Sequence, residues 1–271
     1  MAELVKCFDW SKHEVVSVIG SGGKSSLIVY LARAFSHERV LISTTTKILM
    51  PEKEEYHILW LNPCCQDEQG VIPPGIVIAG DEILTDGISK LQMPKGAEFI
   101  KSFEGFDKVF LESDGSRGLP LKGWADSEPV VLPETTMTIG IIPISAIGKL
   151  ATKEVVHRLP LWLALTKKEE RTLLSGGNED VEKGRVAGDE NQGFVISKEN
   201  IIQTITHEKG LWKKSKGDKI LYMSQVETQQ QLELARGIVE DLPDDFKGKI
   251  SRIIAGSVQN KKGTILYQKN K

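Results

Sequence analysis

The residues whose types and spacing could do chemistry begin with Gly20-Ser21-Gly22-Gly23-Lys24-Ser25-Ser26. They lie between a β-branched run, Val15-Val16-Ser17-Val18-Ile19, and an apolar pattern at helical spacing from Leu27 to Phe35. Glycines at such a turn let the backbone adopt positive φ and aim its N–H groups at an anion. The N-terminus of the following helix adds the positive end of its dipole. In that setting Lys24 reaches the β- and γ-phosphates of a nucleotide, Ser25 offers a hydroxyl to Mg²⁺, and Ser26 bonds an α-phosphate oxygen. The long motif, G-x-x-x-x-G-K-[ST], has its first glycine where this chain has Val18, so the loop is the compact form G-x-x-G-K-S-S. The plain alternative is a tight strand-to-helix turn with a solvated lysine.

A second group follows another apolar run, Lys108-Val109-Phe110-Leu111, and reads Glu112-Ser113-Asp114-Gly115-Ser116-Arg117-Gly118. An acidic residue ending a strand beside a phosphate loop holds Mg²⁺ through its water shell. Carboxylates at i and i+2 on a strand point the same way, so Glu112 and Asp114 can share one metal, or one can bind it while the other orients water. A polar strand end capping a turn would look the same. Arg117 and Lys122 could meet phosphate or an anionic substrate, or form surface salt bridges. Thr44-Thr45-Thr46-Lys47 ends the strand Val40-Leu41-Ile42-Ser43, on the carboxyl edge where open α/β sheets bind ligands. Thr45 and Thr46 are candidates for sensing a γ-phosphate or completing a Mg²⁺ shell, though threonines also simply suit a strand end.

These groups need a scaffold of alternating strands and helices. Runs at Val15–Ile19, Val40–Ser43, Gly75–Ala79 and Lys108–Leu111 predict parallel strands joined by right-handed crossovers. Residues 115–143 read as a long Pro- and Gly-rich loop with a strand at Thr138–Ile142, and residues 152–209 as helical with a polar interruption at Ser175–Gly193. A late strand at Lys219–Met223, a helix at Glu227–Glu240 and a strand pair at Ile250–Ala255 and Thr264–Tyr267 end the chain. The expectation is one domain over residues 1–271, a P-loop NTPase-like three-layer α/β sandwich with a mostly parallel sheet and a mainly helical insertion at about 150–213.

Composition excludes whole classes. The chain has 271 residues, with 35 Lys and Arg against 37 Asp and Glu for a net charge of −2, so bulk charge argues against nucleic-acid or anionic-membrane binding. No apolar run approaches the ~18 residues needed to span a bilayer. The first residues lack a signal-peptide pattern, and three cysteines without framework spacing fit a reducing compartment. The expectation is a cytoplasmic protein with no nucleic-acid or membrane partner. Cys64-Cys65 lacks metal-ligand spacing, and the five tryptophans are scattered and read as packing.

Several segments together resemble one family. Gly20–Ser26, then Ser43-Thr44-Thr45-Thr46-Lys47-Ile48, then Glu112 to Gly123, then Val155-Val156-His157-Arg158 occur in that order and are similar to the YqeC family, accessory proteins for selenium-dependent molybdenum hydroxylases. Thr206-His207-Glu208-Lys209-Gly210-Leu211 is similar to the family's post-helix turn. The resemblance implies a role in making or inserting a labile selenium cofactor, powered or gated by a nucleoside triphosphate. A molybdenum hydroxylase client or a selenium donor protein would then be the partner. It gives His157 and Arg158, expected on a helix, a role in phosphate or partner binding beside the plain structural one.

The Glu-Ser-x-Gly arrangement also resembles the acidic motif of metallocentre-maturation GTPases. Where relatives end the late strand with a guanine-reading Asn-Lys/Gln-x-Asp, this chain has Ser224-Gln225-Val226-Glu227. Glutamate is one methylene longer and serine lacks the amide, so ATP and GTP both stay open. The reading is therefore a Mg²⁺-dependent nucleoside-triphosphate-binding protein, an NTPase in hydroxylase maturation. Lys24, Glu112 and Asp114 are the catalytic candidates. Gly20 to Ser26 with Thr45, Thr46 and Arg117 are the nucleotide contacts, and Ser25, Glu112 and Asp114 the metal ligands. Two alternatives are a nucleotide-gated delivery module and, from the compact loop shared with ATP-dependent ligases of cell-wall synthesis, a ligase or transferase.

Overall fold

The computed structural model describes residues 2–11, 14–62, 72–85, 87–94, 97–166 and 194–270. In chain order, β1 (Ala2–Glu3) and a 3-10 turn (Leu4–Cys7) precede β2 (Glu14–Gly20), which runs through the glycine turn into α1 (Lys24–Ala34). Next come β3 (Arg39–Thr44), β4 (Lys47–Leu49), β5 (Ile58–Leu61), β6 (Gly75–Thr85) and β7 (Ile88–Gln92). They are followed by α2 (Ala97–Lys101), β8 (Lys108–Glu112), β9 (Leu121–Lys122) and β10 (Met137–Pro143). Then β11 (Val156–His157), α3 (Leu159–Thr166), α4 (Lys198–Thr206) and β12 (Asp218–Ser224) lead to α5 (Gln229–Asp241), α6 (Asp244–Lys247), β13 (Arg252–Ser257) and β14 (Lys262–Gln268).

The strands form a mostly parallel mixed sheet in the order β1-β14-β13-β12-β10-β2-β8-β3-β6-β7-β4, with β5 pairing β6. From β13 across to β6 and β5 every pairing is parallel, while β14, β1, β7 and β4 add antiparallel edges. Strands buried on both faces read as unbroken apolar runs, and every residue of β2 and of β8 is buried. One face packs Val16, Val18, Ile42 and Phe110 against Leu27, Ile28 and Leu31 of α1. Leu27 and Leu31 are fully buried, each adding roughly 1.5–3 kcal/mol by burial. The other face is covered in two parts. Phe99, Phe103 and Phe106 lie over Val15, Leu41 and Val109, and Trp162, Ile201, Ile205 and Leu232 gather over Leu221, Met223 and Ile253.

Each predicted strand is present with slightly different ends. β6 continues past Ala79 to Thr85 because β7 pairs with it antiparallel over Asp81–Thr85. The helix expected from Glu227 starts at Gln229, after Thr228, whose Oγ1 accepts from Gln231 N at 3.2 Å. Residues 152–158 are not helical, a correction to the sequence reading. Leu121 N donates to Val155 O at 3.0 Å and Gly123 N to His157 O at 2.8 Å. These bonds pair β11 with β9, and Arg158 turns the chain at φ 55° before α3 begins with Pro160 in its first turn, where no N–H is needed. His157 and Arg158 therefore sit on a strand and a turn. Between β10 and β12 the described chain holds α3 and α4. The expected interruption at Ser175–Gly193 and the pair Cys64-Cys65 lie outside the described residues. Among the described residues no helix is long and apolar enough to cross a membrane.

Candidate functional site

Parallel pairing brings the carboxyl ends of β2, β8, β3, β10 and β12 to one edge. Register sets Glu112 beside both Val18 and Thr44, so the acidic residue lands next to the glycine turn that follows β2. The turn is held tightly at its start and left open at its end. Gly20 has φ 95°, and a Cβ there would lie 2.2 Å from Ile141 O. A Cβ on Gly22 would lie 2.5 Å from the Pro143 ring. Ser224 Oγ donates to Gly22 O at 2.8 Å, tying the turn to β12. Gly23, by contrast, has φ 123° and open space where a side chain would be. It precedes α1 with no side-chain cap, and the first N–H groups of a helix have no intrahelical acceptors.

Lys24 folds back into the site and is 4% exposed. Its Nζ donates to Gly20 O at 2.8 Å and to Ser116 Oγ at 3.3 Å. It also lies 3.4 Å from Asp114 Oδ1 and 3.7 Å from Glu112 Oε1. Ser25, exposed at the mouth, donates its hydroxyl to Glu112 Oε2 at 2.7 Å.

The two carboxylates have different surroundings. Asp114 is fully buried. It accepts from Gly20 N at 3.0 and 3.1 Å and from Trp124 Nε1 at 2.8 Å, and pairs with Lys24 and with Lys122 at 3.1 Å. Every lone pair it offers is engaged, so it organises the loop. Glu112 points to the mouth, where a serine hydroxyl and a carboxylate oxygen form a hard-oxygen pair.

Trp124 does more than pack: its indole N–H anchors Asp114. Lys122, also fully buried, donates to Gly115 O at 2.6 Å and Glu128 Oε2 at 3.0 Å and stands over the Trp124 ring. Arg158 grips Glu128 with both terminal nitrogens. Burial alone would raise the Glu128 carboxyl, but Arg158 and Lys122 outweigh it and hold it below its usual range. Burial, then Arg158, Lys122 and Arg117, pushes His157 below the ordinary imidazole value.

An alternating chain of charge thus runs from Lys24 through Asp114, Lys122 and Glu128 to Arg158. Sequence reasoning gave no role to Ser116 or Glu128, took Trp124 as packing, and considered Ser224 only for base contact, where it instead ties the turn to β12. They act through long-range contacts, and their types carry no signal of it.

The remaining predicted residues divide. Thr44 Oγ1 donates to Glu112 O at 2.9 Å and accepts from Thr46 N at 3.0 Å. Thr45 Oγ1 donates to Val130 O at 2.6 Å. These threonines brace the end of β8, and Thr46 is half-buried beside it. Ser21 is buried with its N–H on Ile141 O at 3.2 Å, and Ser26 is exposed on the first turn of α1. Arg117 is exposed at φ 52° on the loop beyond Asp114. No group of three or more His, Cys, Asp or Glu able to hold a metal occurs among the described residues.

These features define an α/β protein with a glycine-rich turn, a buried lysine and an acidic pair gathered at the carboxyl edge of a mostly parallel sheet. The family model described as YqeC protein matches residues 16–160, a span running from β2 through the acidic loop to α3, and the chain belongs to the YqeC family. It is 30% identical over 154 residues to the "Uncharacterized protein YqeC" of Escherichia coli (strain K12), covering 56% of this chain. The chain spans 60% of the length of that relative. No solved structure matches.

Proposed function

We propose that the chain is a P-loop-type, Mg²⁺-dependent nucleoside-triphosphate-binding protein whose phosphate site is the turn Gly20–Ser26. One observation carries the reading: Lys24, the open end of the turn at Gly23 and the Ser25–Glu112 pair at 2.7 Å meet at one mouth. The donor set suits Mg²⁺, a hard cation that takes oxygen ligands and commonly shares its shell with phosphate and water. Ser25 and Glu112 would hold it, and when bound it neutralises charge on phosphate oxygens. Asp114 keeps Lys24 and the Gly20 N–H in place. Lys24 and the N–H groups of the first turn of α1 stabilise charge on the β/γ oxygens by preorganised electrostatics. Arg117, Thr45 and Thr46 would be secondary contacts.

The test is thermal unfolding with Mg-ATP and Mg-GTP. Both the wild type's stabilisation and its loss in Lys24→Ala are expected; an equal shift in the variant rejects the site.

A second reading, a nucleotide-gated delivery module with slow hydrolysis, is favoured by the engagement of both carboxylates. Glu112 is committed to Ser25 and Lys24, and Asp114 to four donors, which leaves neither to orient water. The service of that gate to maturation of a selenium-dependent molybdenum hydroxylase, with the hydroxylase or a selenium donor as partner, rests on the family resemblance. Phosphate release measured with and without the hydroxylase client separates the readings. Rapid turnover by the isolated chain rejects the module.

A further inference from the structure

The chain of charge that begins at Lys24 ends at the surface. Lys24, Asp114 and Lys122 are buried, while the Glu128 side chain is 13% exposed and that of Arg158 31%. The signs alternate along it, and each carboxylate is shared between two cations. Asp114 stands between Lys24 at 3.4 Å and Lys122 at 3.1 Å, and Glu128 between Lys122 at 3.0 Å and the two terminal nitrogens of Arg158. A group shared in this way gives less to one partner when it gives more to the other. Burial strengthens every link, because the effective dielectric is far below that of water.

The scaffold keeps the members in place. β9 is bonded to β11, and a Cβ on Gly123 would lie 2.5 Å from Trp162 N, so the residue after Lys122 is pressed against α3. The Lys122 ammonium has three protons and meets Gly115 O, Glu128 Oε2 and Asp114 Oδ2 at 2.6, 3.0 and 3.1 Å. Its hold on Asp114 is therefore set against its hold on Glu128.

We propose that Glu128 and Arg158, which reach Lys24 through Lys122 and Asp114, set the affinity of the glycine turn for phosphate, and that Arg158 is the control point at the surface. The proposal rests on the phosphate-site reading above. Phosphate must draw Lys24 away from Asp114. That is easier when Lys122 is available to Asp114, and harder when Glu128 claims Lys122. Arg158 satisfies Glu128 and so leaves Lys122 to Asp114. A carboxylate presented to Arg158 from outside reverses the sequence: Glu128 falls back on Lys122, Asp114 on Lys24, and the phosphate is released. By linkage, phosphate in the turn weakens that outside contact by the same factor. An acidic contact at Arg158 is thus a release signal for the nucleotide.

Calorimetric titration of the full chain and its variants with Mg-ATP and Mg-tripolyphosphate tests this. Arg158→Gln should weaken both ligands about threefold or more, the scale for changes along a coupled network. Arg158→Lys, which keeps a cation on Glu128, should stay near wild type. Glu128→Gln should bind both more tightly, an outcome that damage to the fold would not produce. The double variant should match Glu128→Gln, because Arg158 acts only through Glu128; such non-additivity separates the chain from a simple long-range field. Unchanged affinity in both single variants, weaker binding in both, equal loss in Arg158→Lys and Arg158→Gln, or an Arg158 effect that persists without Glu128 overturns the proposal. With binding still lost in Lys24→Ala, those results leave the phosphate site standing. Failure of the wild type to bind either ligand removes the site and the proposal together.

Discussion

Lys24 Nζ and Asp114 Oδ1 lie 3.4 Å apart with side chains 3% and 0% exposed, so the charge of the loop lysine is balanced inside the protein before any phosphate arrives. Asp114 also balances Lys122, fully buried 3.1 Å away. Removing one partner of a buried ion pair leaves an uncompensated charge and costs about 3–5 kcal/mol. Asp114→Ala should therefore lose about that much, read from the denaturant midpoint. Glu112, which bonds the exposed Ser25 at the mouth, should lose less when changed to Ala and should act instead on the Mg²⁺ dependence of nucleotide binding. Equal stability losses in the two variants would contradict this division of labour.

At the opposite end of the sheet, Arg39 clamps Asp107. Its Nε and backbone N–H both donate to Oδ2 at 3.0 Å, and a terminal nitrogen donates to Oδ1 at 2.9 Å. The Arg39 side chain first, then its backbone N–H, hold the Asp107 carboxyl at about 2 against an ordinary 3.8. A carboxyl depressed in the folded state stabilises above its unfolded value and loses that contribution as pH falls through the folded one. The stability difference between wild type and Asp107→Asn should thus be constant above ~pH 5 and shrink between about 4 and 2. Urea unfolding over that range checks it, and a difference independent of pH would refute it.

The strands that position the site are legible in the sequence because they are buried on both faces. Val15 to Ile19, Val40 to Ser43 and Lys108 to Leu111 could be read as apolar runs before any pairing was known. The glycine turn is legible for a related reason. Gly20 and Gly22 stand where Ile141 O and the Pro143 ring leave no room for a side chain, and such positions carry a residue type that can be recognised. Edge strands are different. β4 and β7 are short and partly exposed, Leu49 and Ile88 among their exposed residues, and they exist because each finds a neighbour. Their residues carry little of that information.

Residues 152–158 show the limit of periodicity. Val155, Val156 and Leu159 have helical spacing, but bonds from Leu121 and Gly123, which lie more than thirty positions earlier, impose a strand. The i, i+2 spacing of Glu112 and Asp114 predicts two carboxylates on one side of a strand, but the strand ends at Glu112 and Asp114 lies beyond it. Their separate surroundings depend on Trp124 and Lys122, contributed by a Pro- and Gly-rich loop whose path no local pattern dictates.

His157 lies where that imposed strand meets the charge network, and its titration tests the network. Burial is the largest influence on it, followed by Arg158, Lys122 and Arg117, while Glu128 pulls the other way. The imidazole should titrate below its ordinary 6.5, followed by the NMR shifts of its ring protons across pH 4–8. Because the folded value lies under the unfolded one, folding favours neutral His157. Its contribution is full above the unfolded value and declines as pH falls through the folded one. Arg117 is exposed and can be changed without opening the core, so Arg117→Gln should move the midpoint upward. Glu128→Gln removes the one opposing group and should move it further down. A wild-type midpoint at or above 6.5, or the same displacement in both variants, would mean that the cations drawn together around Lys122 do not act on His157 as their positions require.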